Sequence, residues 1–252
     1  MCWNAEASWG FAVVGATAAG YLIAKKESPL LWLPVAYFAA MELLQGLSWP
    51  VVDRCELPSN QLYTLLAWLH ACFQPFMGGM LALAFIPEAA RKRAAFLVVG
   101  ASTLAALIML VQVFPFEWAG PCRLGRTFCG EALCTYTGEW HLAWSVPLND
   151  LLEPGPQVFY DSFPLRFLFG DATFHYLFAM FGVPFLIGSW RFALYNIVIG
   201  PPLVRFALVD GPNEWPTIWC LFSVAIILLI VITPLRRLMT VPRAAGWTTP
   251  KG

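Results

Sequence analysis

The chain has 252 residues, of which 59% are hydrophobic and 12% charged, with a mean hydropathy of +0.66. A soluble globular chain carries about 25% charged residues, so this composition suits lipid surroundings and excludes an ordinary water-soluble domain. Fifteen basic residues balance fifteen acidic ones, which excludes the electropositive footprint of a nucleic-acid binder.

The first ten residues hold no Lys or Arg, so the positive n-region of a signal peptide is missing. The first apolar run, Ser8 to Ala24, is followed by Lys25 and Lys26, which hold its C-terminal end in the cytoplasm. A second run covers Pro29 to Trp49 and contains Glu42 and, three residues on, Gln45. The third, Asn60 to Ile86, contains His70 and Gln74 at i, i+4, then Pro75 and the pair Gly78-Gly79, which permits close helix contact. The Arg91-Lys92-Arg93 cluster precedes a fourth run, Ala94 to Phe114. After a long loop come a fifth run, Ala172 to Trp190, with His175, and a sixth, Phe192 to Val209, joined by a tight turn at Ser189 to Arg191. The sixth carries Asn196, Gly200-Pro201-Pro202 and Arg205. Pro201 and Pro202 have no amide hydrogen, so a kink or break is expected there. The seventh run, Pro216 to Leu235, leads into a basic tail, 236–252. Each run is near the roughly 20 residues that cross a hydrocarbon core. The expected fold is an all-α integral membrane protein, a seven-helix transmembrane bundle.

Charge orients it. With the N-terminus outside and the C-terminus cytoplasmic, the inner segments hold Lys25, Lys26, Arg91, Lys92, Arg93, Arg191, Arg236, Arg237, Arg243 and Lys251. Every inner segment then has a base, as the positive-inside rule requires. The same threading puts Cys2, Cys55, Cys122, Cys129 and Cys134 outside, and Cys220 near the outer end of the seventh span. These six are disulfide candidates, since oxidising compartments favour the bond, and spacing alone leaves their pairing open. Cys72 falls in mid-membrane and is expected to be inert.

The extracytoplasmic loop, 115–171, has its own signals. Cys134-Thr-Tyr-Thr reads as a strand, Gly138-Glu139 as a turn and Trp140 to Val146 as a second strand. A small disulfide-stapled β-hairpin on the outer mouth of the bundle follows, either as a lid or as packing that shields helix ends. The segment 149–163 is expected to be irregular, and 159–169 to lie in the interface.

Depth counted at 1.5 Å per residue puts Glu42 and His70 close to one height, with Gln45, His175 and Arg205 somewhat further out. Polar side chains at such depth usually face the bundle interior. Glu42, Gln45, His70, Gln74, His175, Asn196 and Arg205 are therefore the candidate ligand-binding residues. Three readings stand: His70, Glu42 and His175 as ligands of a metal, Glu42 and His70 as a proton or ligand site, or a structural polar network. No lysine falls inside a span, which argues against a retinal Schiff base, and no nucleophile elbow or phosphate loop occurs.

Several stretches resemble an uncharacterised family of bacterial multi-pass membrane proteins, a domain of unknown function with more distant relatives in large DNA viruses and protists. They are Met1-Cys-Trp-Asn-Ala-Glu-Ala-Ser, Met41-Glu-Leu-Leu-Gln45, Ser59-Asn-Gln61, Leu69-His70, Phe73-Gln-Pro75, Cys129-Gly-Glu, Leu133-Cys134, Trp140-His-Leu-Ala-Trp144, Gly188-Ser-Trp-Arg-Phe192, Asn213-Glu-Trp-Pro and Ile218-Trp-Cys220. The resemblance implies the fold and no activity, and leaves any cofactor open; 148–173 matches least. The expected location is the inner (cytoplasmic) membrane of a bacterium. The expected role is binding or transport of a small molecule or ion through an outward-open polar pocket. An embedded enzyme using Glu42 and His70, and a structural or sensory subunit of a membrane complex, are the alternatives. The lipid bilayer is the one partner the sequence names.

Overall fold

The computed structural model describes residues 3–151, 174–207 and 211–242, with only the backbone of 174, 201 and 205–207. Helix α1 is Ala5–Ala24, capped by Asn4, whose side chain accepts from the Ala7 amide at 3.3 Å. Helix α2 is Pro29–Ser48, entered through Ser28 and Pro29 and extended by a 3-10 turn, Trp49–Val51. Helix α3 is Pro58–Ala84 and α4 is Glu88–Val111. Helix α4 begins before the expected Ala94 and carries the Arg91–Arg93 cluster in its first turns; Arg91 donates to the carbonyls of Ala84 and Ile86 at the end of α3. A helix satisfies its own amides, so its ends are not set by the edge of an apolar run.

Helix α5 comprises Phe174–Leu177, a π-helical turn at Phe178–Gly182, and Val183–Leu186. A turn with Gly188 at φ +86° leads to α6, Trp190–Ala207. Of the kink or break expected at Gly200-Pro201-Pro202, the break is absent, since α6 is helical throughout. Gly200 instead admits a neighbour, because a Cβ there would lie 2.2 Å from the Trp219 ring. Helix α7 is Trp215–Ile232 and α8 is the short Leu235–Met239. The helices α1, α2 with its 3-10 turn, α3, α4 and α7 are long and apolar enough to cross a membrane, while the apolar stretch His175–Leu186 is shorter.

Helices α1 to α4 pack consecutively, α7 lies against α1, α2 and α6, and α3 also contacts α5. Gly78 and Gly79 do permit close approach: a Cβ at Gly79 would lie 2.2 Å from Val98 of α4, and one at Gly78 2.6 Å from Met180 of α5.

Two antiparallel strands, β1 (Cys134–Thr137) and β2 (Leu142–Ser145), pair Cys134 with Ser145 and Thr137 with Leu142. The connection is therefore the four residues Gly138–His141, two longer than the expected turn. The apolar side of this segment is buried on the bundle. Phe128 meets Trp68 edge-on at 5.0 Å and stacks on Trp144 at 5.8 Å, within a core that includes Met41, Ala71, Met109 and Val146. Asn149 caps the end of α4 by donating to the carbonyls of Val111 and Phe114. The expectations for 152–171 and for Cys2 lie outside the described residues.

Among the described residues two disulfides form, Cys55–Cys134 and Cys122–Cys129. Cys220 is no disulfide partner. It sits inside α7, 1% exposed, as a free thiol, and Cys72 is likewise free and buried. Counting from the chain order put Cys220 at the outer edge, but the docked hairpin covers that end of α7.

A buried polar array at the hairpin end of the bundle

Asn60 of α3 pairs with β1 as a strand would: its carbonyl oxygen accepts from the Thr135 amide at 2.9 Å, and its amide donates to the Thr135 carbonyl at 2.7 Å. The Thr64 and Thr135 hydroxyls meet at 2.7 Å. At the other end of the hairpin, Glu214 precedes α7 and is 2% exposed. Its carboxylate accepts from the amides of Glu139 at 3.0 Å, Trp140 at 2.5 Å, and His141. Successive amides cupping an anion form a nest. Gly138 is required beside it, because a Cβ would lie 2.6 Å from Glu214 Cδ. Asn213 and Thr217 add bonds to the carbonyls of Cys129 and Leu142. The four-residue connection thus follows from Glu214, which gathers the amides of the turn.

These anchors drive His141 into the bundle, where it is wholly buried. Its Nδ1 lies 3.0 Å from the Trp3 carbonyl oxygen, and its Nε2 lies 2.6 Å from Gln45 Oε1 and 3.4 Å from Ser8 Oγ. Burial pushes the ring down to about 4, against the pull of the Trp3 carbonyl. Gln45 and Glu42 share the inward face of α2 and are 1% and 0% exposed. Gln45 Nε2 donates to Glu42 Oε1 at 3.1 Å, while Glu42 Oε2 has no hydrogen-bond partner. Cys220 accepts from Gln74 Nε2 at 3.0 Å, and Gln74 Oε1 accepts from the Tyr176 hydroxyl at 2.6 Å. Ser8, His141, Gln45 and Glu42 thus form one buried polar string between α1, α2 and the hairpin, and Cys220, Gln74 and Tyr176 a second across α7, α3 and α5.

The structure brings three of the expected residues into these strings, Glu42 and Gln45 into the first and Gln74 into the second. His70 is placed elsewhere. Its ring stacks on Tyr37 at 3.8 Å and meets Phe38 edge-on, the Tyr37 hydroxyl donates to its backbone carbonyl at 2.6 Å, and its Nε2 has no partner. No hydrogen bond joins His70 to Glu42. The register of α3 on α2 sets His70 beside Tyr37, five residues and about 7.5 Å along α2 from Glu42. Equal depth did not mean adjacency. His175 is half-buried with Nε2 unpartnered. Asn196, 5% exposed, lines a small cavity with Ser223 and Trp219. Arg205 lies on α6, its side chain outside the described residues. Among the described residues no group of three His, Cys, Asp or Glu side chains is placed to hold a metal ion, so the set Glu42, His70 and His175 is not assembled.

Sequence reasoning missed His141, Ser8, Tyr176 and Glu214. His141 stood out only as the single histidine of the loop, and nothing in its spacing shows that the hairpin inserts it next to α2.

No curated protein and no solved structure matches the chain. Residues 6–240 match the model of a Family of unknown function (DUF5765), nearly the whole helical bundle and its hairpin, and the chain belongs to that family.

Proposed function

We propose that the chain is a seven-span membrane protein, N-terminus outside and C-terminus cytoplasmic, that binds a small cation, the proton being the simplest, at Glu42 in the outer half of its bundle and passes it between the outer face and the membrane interior. The observation that carries this reading is Glu42 itself: a carboxyl group with no exposed surface, one oxygen held by an uncharged amide and the other unpartnered. An ionisable group inside a membrane is costly unless it is used, and such groups mark ion and proton pathways. Both disulfides lie at the hairpin end, which suits an oxidising outer compartment. In the form described, the hairpin and His141 sit above Glu42 and close that side, so passage of the ion requires the hairpin to shift. An enzymatic use of Glu42 with His70 draws no support, because no hydrogen bond joins the two and the His70 ring is stacked on Tyr37.

Reconstitution into liposomes loaded with a pH-sensitive dye tests this. An imposed proton gradient with charge compensation should dissipate faster than in empty vesicles, and Glu42→Gln should abolish the difference. Dissipation equal to empty vesicles, or unaltered by Glu42→Gln, overturns the reading.

A further inference from the structure

We propose that Glu42, Gln45 and His141 form a proton-binding site in which one mobile proton has two seats, the Glu42 carboxyl and His141 Nε2, and the Gln45 amide turns over to match the seat that is occupied. This rests on the reading of Glu42 as an ion site and adds the partner with which it shares the proton.

The argument is one of donors and acceptors. His141 Nδ1 faces the Trp3 carbonyl, which only accepts, so Nδ1 carries a hydrogen. Nε2 then decides the charge of the ring, and it faces Gln45 at 2.6 Å. Gln45 presents one end to His141 and the other to Glu42 Oε1 at 3.1 Å. An amide has one accepting end and one donating end, which exchange places on a half-turn about its last torsion. With the oxygen toward His141, Nε2 must donate, the ring is an imidazolium, and the amide nitrogen donates to a Glu42 carboxylate. With the nitrogen toward His141, Nε2 accepts, the ring is neutral, and the amide oxygen requires a carboxylic acid at Glu42. The two arrangements hold the same number of protons. Going from the second to the first breaks an O–H bond on Glu42 and makes an N–H bond on His141, and no other bond changes.

At this proton load, every other assignment sets two donors or two acceptors face to face. Bulk water does not reach that conflict where all three residues are at most 1% exposed, and an unsatisfied buried group is costly. The remaining neighbours are accounted for. From α1, Ser8 offers a hydroxyl that rotates to suit either state. From α7, the Cys220 thiol accepts from Gln74 and makes no hydrogen bond to Glu42, and Glu214 engages the His141 backbone amide and not its ring. The Trp49 ring lies tilted by 51° to the His141 ring, 5.9 Å between centroids. Since burial disfavours the imidazolium, the mobile proton rests on Glu42 at neutral pH, and His141 is its outward-facing alternative.

Infrared and nitrogen NMR spectra of the reconstituted full chain, labelled at histidine, test the site. At neutral pH a carboxylic-acid carbonyl band should be present, removed by Glu42→Gln, together with a neutral His141 ring protonated at Nδ1. Any condition that converts the ring to imidazolium at unchanged proton load should remove the acid band in equal proportion. Gln45→Met, similar in size but unable to hydrogen-bond at both ends, should leave both signals but break their reciprocity. A carboxylate beside a neutral ring at neutral pH overturns the proposal, and this reading needs only the wild-type chain. Reciprocity retained in Gln45→Met overturns it as well. Failure of the flux assay with reciprocity intact would remove the transport reading alone; Glu42-dependent flux without reciprocity would remove the shared proton alone.

Discussion

The nest at Glu214 gives the sharpest test of how the hairpin is held. Its carboxylate serves three consecutive amides, those of Glu139, Trp140 and His141, in a site 2% exposed. Glu214→Ala removes the acceptor of all three. Each buried donor left unsatisfied costs about 1–3 kcal/mol, and water entering the vacated volume recovers part of that, so the expected loss is about 3–6 kcal/mol. Glu214→Gln keeps the shape but turns an amide group toward at least one of the three donors, and should cost about 1–3 kcal/mol. Gly138→Ala reaches the same contact from the opposite side, since its Cβ would lie 2.8 Å from both Glu214 Oε1 and the His141 carbonyl oxygen. Hydrogen exchange of the turn peptide in detergent-solubilised protein reads this out. Exchange should rise by about two decades or more in Glu214→Ala, on the scale of tenfold per 1.4 kcal/mol, and less in Glu214→Gln. Unchanged protection of these amides in Glu214→Ala would refute the assignment of Glu214 as the clasp.

Loop closure separates the two disulfides: by chain entropy, Cys55–Cys134, spanning 79 residues, is worth about 4.5 kcal/mol and Cys122–Cys129, spanning 7, about 2.4 kcal/mol. Paired serine substitutions should therefore lower the thermal midpoint more for the former. Gly79→Ala forces a methyl group onto Val98 of α4 and should cost about 1–3 kcal/mol in thermal unfolding, with Val98→Ala restoring part of it. Burial lowers His141 from 6.5 to about 4, so the docked hairpin has its full stability above pH 6.5 and loses it as pH falls toward 4, where a released ring takes up a proton first; the gap corresponds to roughly 3 kcal/mol. Melting curves from pH 7 to 4 should show this decline, and His141→Asn should flatten it. The Arg236 guanidinium, bonded to both Glu27 oxygens at 2.8 and 2.9 Å, holds that carboxyl below its usual value. This partly exposed pair should contribute no more than about 1 kcal/mol, present above pH 4.5 and lost as pH falls through the lowered value, as an Arg236→Gln comparison would show.

The helices at the apolar runs could be read from the sequence because hydropathy and length are local quantities: α2 and α3 begin and end within two or three residues of their apolar runs. The strand Cys134 to Thr137 was equally legible, from alternation and a following glycine. Glu42, Gln45 and Gln74 stood out because lipid rejects them, which is again a local property. What they touch is not local. Helix register moved His70 from Glu42 to Tyr37, and the Glu214 nest lengthened the hairpin connection and carried His141 to Gln45 across 96 residues of chain. Contacts between side chains far apart in sequence depend on how helices rotate and where a loop is clasped. Those follow from the summed packing of the whole bundle, which no single segment encodes, so the membrane architecture belonged to the sequence and the pairing of its polar groups to the tertiary structure.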